Sequence, residues 1–252
     1  MISINIFQRR FFLLFVIVLL TSGCVQDNRD ITREITVSAA ISLKDALKDI
    51  GEEFQKKNPE VRIYFNFGAS GTLEKQIEQG ASVDIFASAS KKEMDMLEEK
   101  GLVLGSTRTD FAKNRLVTIA PSRVRIEELR DKNVEKIAVG DPRTVPAGRY
   151  AETFLKNAGV YESLAPKLIF AENVRQVLDY AERGEVDAGF VYFSDTLKSN
   201  MTVSEVNDSF YPPIVYPIAV IHDSQNPEIS KQFIEYIISD EGQTILRRYG
   251  FK

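Results

Sequence analysis

The chain has 252 residues, 32 basic against 36 acidic side chains, one cysteine, one histidine and no tryptophan. A net charge of −4 without a basic run or a basic helical face argues against nucleic acid as a partner. One cysteine excludes an intramolecular disulfide, and one histidine excludes metal clusters built on two or three imidazoles. A Ser-His-Asp triad would have to use His222, which lies beside Asp223 in a turn and reads as a solvated loop residue.

In chain order, Arg9 and Arg10 precede the apolar run Phe11–Leu20, and Thr21-Ser22-Gly23-Cys24 follows. Such a run is too short for a bilayer core of ~30 Å, which takes about 20 residues. Residues 1–23 therefore read as an export signal. Cys24 stands where small residues end that signal, similar to the lipobox at which a cysteine is cut, acylated and left as the new N-terminus. Thr21 occupies the place where that pattern prefers leucine. The expectation is a lipid anchor at Cys24, with ordinary cleavage and an incidental thiol as the alternative. Residues 24–33 are polar and aperiodic and read as a tether. Loss of Arg9 and Arg10 with the signal leaves 30 basic and 36 acidic side chains, a net charge of −6.

Beyond the tether, apolar runs and helical periods alternate. Ile35–Ala39 predicts a strand. From Ser42 the period turns helical, with Leu43, Ala46, Leu47, Ile50 and Phe54 on one face and a capping box Ser42-x-x-Asp45 at its start. Val61–Phe67 alternates as a half-buried strand, before a helix that carries Leu73 and Ile77 and closes near Gly80. Val83–Ala87 is the next strand, and a second capping box, Ser90-x-x-Glu93, opens a helix that Gly101 stops. Strands follow at Leu116–Ala120 and Lys136–Gly140, with a short helix near Ile126–Arg130 between them. Pro146 suits the first position of a helix to about Asn157. Leu168–Phe170 leads into a helix with Val174, Val177, Leu178 and Ala181. Ala188–Tyr192 and Tyr216–Ile221 are strands, the first with a polar turn at Ser194-Asp195. One final helix begins at Asn226-Pro227 and another follows Asp240-Glu241-Gly242.

This alternation predicts mostly parallel, doubly wound α/β sheets. No linker rich in glycine or serine divides the chain. The expectation is two lobes, 34–115 with 217–252 and 116–216, joined by strands around Leu116–Ala120 and Tyr216–Ile221. In such folds a ligand sits beyond the carboxyl ends of the strands, and two facing lobes close over it. Three strand-to-helix junctions carry small or hydroxylated residues: Ala39–Leu43, Phe67–Thr72 and Val145–Gly148. The first turn of a helix has unpaired N–H groups and partial positive charge, so converging junctions can hold an oxyanion without a cation.

Ile35–Leu43, Phe67–Leu73, Gln76–Ala89, Val139–Tyr150, Ala171–Arg175 and Gly189–Asp195, with the closing Arg248–Phe251, together resemble the molybdate-binding proteins of ABC importers. The resemblance covers essentially the whole chain after the tether. It implies a type II periplasmic-binding-protein fold and a tetrahedral dianion, molybdate and also tungstate, held by neutral donors. It implies ligation by the hydroxyls and N–H groups of Ser42 and Ser70, the N–H groups of Ala147 and Val174, and the Tyr192 hydroxyl. No carboxylate stands at those positions, so four-coordinate oxyanion binding is expected rather than direct coordination of the metal.

The implied protein is a monomer without cofactor or catalytic step. It is anchored at the outer face of the membrane and delivers its ligand to a permease with an ATPase subunit. Arg143, Arg149 and Arg175 lie near the site and read as ion pairs or steering charges. The alternatives are a binding protein for another oxyanion, such as sulfate or phosphate, and a hydrolase on the same fold.

Overall fold

The computed structural model describes residues 33–252, so the expected export signal, the expected lipidation at Cys24 and the expected tether through residue 32 lie outside the described residues. Two five-stranded sheets organise the chain. The first contains β1 (Arg33–Ala40), β2 (Val61–Gly68), β3 (Ile85–Ala87), β4 (Thr109–Asn114) and β10 (Ile214–Val220), in the order β2-β1-β3-β10-β4. The second contains β5 (Leu116–Ala120), β6 (Ile137–Gly140), β7 (Leu168–Ala171), β8 (Ala188–Tyr192) and β9 (Thr202–Glu205), in the order β7-β6-β8-β5-β9. Central strands are apolar on both faces because helices cover both. Ile35, Val37 and Ala39 of β1 are fully buried, as are Val191 and Phe190 of β8. The edge strand β2 instead alternates, with Val61 and Ile63 buried and Arg62 and Tyr64 exposed.

The sheets are mixed rather than mostly parallel. β1 runs parallel to β2 and β3, and β6 parallel to β7 and β8. β10 is antiparallel to β3 and β4, and β5 is antiparallel to β8 and β9. The reversed strands are the two that follow a passage from one sheet to the other, at Arg115 and ahead of Ile214. They enter without the helical crossover that makes neighbours parallel. β4 and β9 were not expected from the sequence. Both are sheet edges whose charged or hydroxylated residues give no apolar run.

The helices that frame the site are α1 (Lys44–Lys57), α2 (Ser70–Glu78), α3 (Lys91–Glu99), α4 (Pro146–Asn157) and α6 (Val174–Glu182), with the short α5 (Tyr161–Leu164) between the last two. α7 (Pro227–Ile238) and α8 (Asp240–Arg248) pack on the first sheet's lobe, α7 through Phe233 against Phe54 of α1. α4 spans the expected range because Pro146 pre-sets its first φ, and Gly159 takes the left-handed conformation just beyond its end.

Neither expected capping box forms. Ser42 lies in a 3₁₀ turn, Ile41–Leu43, ahead of α1, and its hydroxyl bonds Tyr216 instead of a backbone N–H. Ser90 does cap α3 by accepting from the Lys92 N–H, but Glu93 turns away to Arg149. α8 starts at Asp240, capped by Ser239, two residues earlier than the Gly242 boundary suggests.

Candidate functional site

Strands of both sheets end in turns and helix starts that meet at one place. After β1 comes the turn with Ser42, and after β2 comes α2 beginning at Ser70. After β6 and its loop comes α4 with Ala147 in its first turn, after β7 comes α6 beginning at Val174, and β8 ends on Tyr192. The structure brings Ser42, Ser70, Ala147, Val174 and Tyr192 around one small pocket between the lobes, which Ala40, Ala69, Ala89 and Pro146 help to line. All five are nearly inaccessible, the most exposed being Ser42 at 6%. About 10 Å³ of the pocket is open to the centre of a water-sized sphere, room for one compact group and not for a sugar or a peptide. Size alone would point elsewhere. A cavity of about 520 Å³ opens on the second sheet's lobe near Arg125, Phe154 and Phe210, but it gathers no converging helix starts.

No residue lining the pocket is charged. The chemistry is that of hydrogen-bond donors. Ser70, Ala147 and Val174 sit in the first turns of α2, α4 and α6, where N–H groups have no intrahelical acceptor, and no other carbonyl among the described residues takes them up. The Ser70 hydroxyl oxygen accepts the Ala89 N–H at 3.0 Å from behind, which leaves its own hydrogen free to point into the pocket. The Tyr192 hydroxyl is buried with no hydrogen-bond partner among the described residues. Burial, reinforced by Tyr216 and Tyr150 nearby, pushes it well above the ordinary tyrosine value, so it stays an O–H donor. A buried donor without an acceptor costs about 1–3 kcal/mol, and a ligand oxygen removes that cost.

Charges stand outside this shell and tie the lobes together. Arg149 of α4 reaches Glu93 of α3 at 2.5 Å, with the Glu93 side chain only 3% exposed. Arg175 of α6 lies 3.6 Å from Asp45 of α1 and 3.9 Å from Asp195, and Lys198 lies 3.5 Å from the same Asp45. Arg143 pairs with Asp141 at the surface. The Gly71 N–H donates to the Thr144 carbonyl at 2.9 Å, joining α2 to the loop before α4. A Cβ at Gly71 would lie 2.7 Å from that carbonyl oxygen, so only glycine allows this approach. The His222 ring is exposed, its Nδ1 lies 2.8 Å from Asp223, and it does not line the pocket.

Three residues with a part in the site were not anticipated: Ala89, Tyr216 and Asn114. Ala89 contributes a backbone N–H, which no sequence pattern marks. Tyr216 reads as one more apolar residue of a buried strand, and only its contact with Ser42, 174 residues away, distinguishes it.

The fold and the pocket together define a two-lobed α/β binding protein, built to enclose one small ligand in donors. Comparison with known proteins agrees. A family model described as "Bacterial extracellular solute-binding protein" matches residues 35–252. YvgL of Bacillus subtilis, provisionally named an ABC transporter substrate-binding lipoprotein, is 36% identical over 242 residues, 92% of this chain and 93% of its own. The molybdate-binding protein ModA of Escherichia coli is 38% identical over 229 residues, 86% of this chain and 88% of its own. The structure of the periplasmic molybdate-binding protein of Azotobacter vinelandii superposes with a TM-score of 0.80 over 86% of this chain and 98% of that one. At 22% identity, that likeness shows the fold. The chain belongs to the bacterial extracellular solute-binding protein family.

Proposed function

We propose that this protein captures molybdate, and also tungstate, as a tetrahedral oxyanion and presents it to the permease of an ABC importer. It is a binding protein and performs no chemical step, in keeping with relatives named as substrate-binding and molybdate-binding proteins. The observation that carries the reading is a small pocket with no charged lining residue, on which the starts of α2, α4 and α6 and the hydroxyls of Ser42, Ser70 and Tyr192 converge. A dianion there is held by charge-assisted hydrogen bonds, each worth about 1.5–3 kcal/mol. We assign those bonds to the hydroxyls of Ser42, Ser70 and Tyr192 and the N–H groups of Ser42, Ser70, Ala147 and Val174.

A donor-only shell also rejects competitors. Hydrogen phosphate would turn its O–H against another donor, at about 1–3 kcal/mol per mismatch. Sulfate carries no such proton, and its smaller size leaves it short of the opposing donors. Two lobes, 34–115 with 217–252 and 116–216, would close over the ligand; the passages of the chain between sheets at Arg115 and ahead of Ile214 support that division, with the second boundary drawn back to the start of β10. The protein works as a monomer outside the cytoplasm, held at the membrane through acylated Cys24, a reading that the lipoprotein name of the Bacillus subtilis relative supports.

Calorimetric titration with molybdate, tungstate, sulfate and phosphate tests the assignment. One-to-one binding of the first two, with the last two at least about a hundredfold weaker, is expected from two mismatched or missing donor contacts. A strong signal from another anion with silence from molybdate would overturn the function while leaving the fold.

A further inference from the structure

We propose that a one-way hydrogen-bond relay, running from Asn114 through Tyr216, turns the hydroxyl hydrogen of Ser42 into the pocket. The inference rests on the reading of the pocket as an oxyanion site, and it adds Asn114 and Tyr216 as positioning residues that never touch the ligand. Asn114 closes β4 at the passage between the two sheets, and Tyr216 lies on β10 beside it, so the relay runs through the hinge.

The direction follows from which atoms can only donate. The Asn114 side-chain oxygen accepts the Arg115 N–H at 2.9 Å, which fixes the orientation of the amide. Its NH₂ group therefore faces Ser194 Oγ at 2.9 Å and the Tyr216 hydroxyl at 3.3 Å, and an amide NH₂ has no lone pair to offer. Tyr216 must accept there. Its single hydrogen is left for its one other partner, Ser42 Oγ, at 3.0 Å. Were Ser42 the donor in that contact, the Tyr216 hydrogen would have no acceptor among the described residues, since the group facing it from Asn114 donates as well.

Tyr216 is fully buried, and burial pushes its hydroxyl well above the ordinary tyrosine value, so the phenol keeps its hydrogen throughout the physiological range. The Ser42 oxygen is thus supplied from behind, and its own hydrogen has only the pocket to point into. This is the arrangement that the Ala89 N–H gives Ser70. Both serines therefore turn a hydrogen toward the pocket, and of the three hydroxyls there only that of Tyr192 has no partner among the described residues to orient it. The donor orientation of Ser42 is therefore set at the hinge and not in the lining.

A double-mutant cycle on the full chain, read by calorimetry with molybdate, tests the relay. Tyr216→Phe keeps the ring among Phe111, Tyr192 and Phe251 and removes only the hydroxyl. It should weaken molybdate binding about tenfold, the worth of one misdirected hydrogen bond, yet change the affinity of Ser42→Ala by less than about twofold. Competition against bound molybdate at mildly alkaline pH supplies a readout that simple loosening would not move. In Tyr216→Phe, the affinity for hydrogen phosphate relative to sulfate should rise at least about threefold, because a released Ser42 hydroxyl can accept the phosphate hydrogen.

Unchanged molybdate affinity in Tyr216→Phe would overturn the relay. So would an equal factor in both backgrounds, or a phosphate-to-sulfate ratio that does not rise, including no competition by either anion. Failure of the unaltered chain, or of its Ser42→Ala effect, would instead overturn the oxyanion reading itself and the relay with it.

Discussion

The two hydroxyls Ser70 and Tyr192 differ in what they do without a ligand, and that difference separates binding from folding. The Ser70 oxygen already takes the Ala89 N–H, so Ser70→Ala strands a buried donor. It should lower stability by about 1–3 kcal/mol as well as weaken molybdate binding. The Tyr192 hydroxyl has no partner, so Tyr192→Phe removes an orphaned polar group together with a ligand contact. Its melting temperature should stay level or rise while molybdate affinity falls about tenfold or more. Thermal unfolding and calorimetry on the pair check this, and parallel losses of stability in both variants would contradict it. The paired serines and the tyrosine could be read from the sequence through their resemblance to a family; their different states of satisfaction could not, because they depend on a backbone N–H at Ala89 and on Tyr216, both remote in the chain.

Among the elements, the turn after β8 carries the most exposed consequence. Asp195 lies in the 3₁₀ turn Phe193–Thr196, fully buried, with neither carboxylate oxygen hydrogen-bonded in the side-chain network. Burial pushes its carboxyl up to about 6, against the opposing pull of Arg175, with Asp45 adding a smaller upward push. The native state therefore holds a proton that the unfolded chain, titrating near 4, has released. Stability falls as pH rises between those values and stays lower above them, by about 3 kcal/mol for a difference of about two units. Glu74 of α2, pushed to about 7 by burial and by its bond to Glu78, acts in the same direction at higher pH.

Asp195→Asn should flatten the part of the stability profile between about pH 4 and 6; an unchanged slope in denaturant titrations across that range would contradict it. The sequence marks Ser194-Asp195 only as a polar turn, and local spacing does not show that the aspartate is buried with Arg175 of α6 3.9 Å away. α4, β5 and β8 were legible to the residue, since a proline start or an unbroken apolar run signals each. β4 and β9 were not, because edge strands need only one covered face. The Ser42 capping box failed for a related reason: local spacing cannot show that a hydroxyl has a better partner in a distant strand.

For the whole molecule, the question is what holds the lobes together over so small a pocket. The pair Arg149–Glu93, the Asp45 contacts of Arg175 and Lys198, and the Gly71 bond to Thr144 all cross between the lobes, and none of the side chains involved lines the pocket. Opening would return Glu93 and Arg149 to water, so their pairing weighs on the closed form alone. Arg149→Ala should raise the molybdate dissociation rate about tenfold with little change in the association rate, because closing interactions act after encounter. Stopped-flow exchange of molybdate for tungstate measures the dissociation rate and direct mixing of molybdate with the free protein the association rate, and an unchanged dissociation rate would remove the pair from closure.

The central claim is that the ligand is held through its oxygens by neutral donors, with no protein atom bound to the metal. X-ray absorption at the molybdenum edge of the loaded protein tests it most directly. The account predicts a spectrum matching free tetrahedral molybdate, with four equal short Mo–O distances. A shift to six-coordination with added, longer ligands would contradict it.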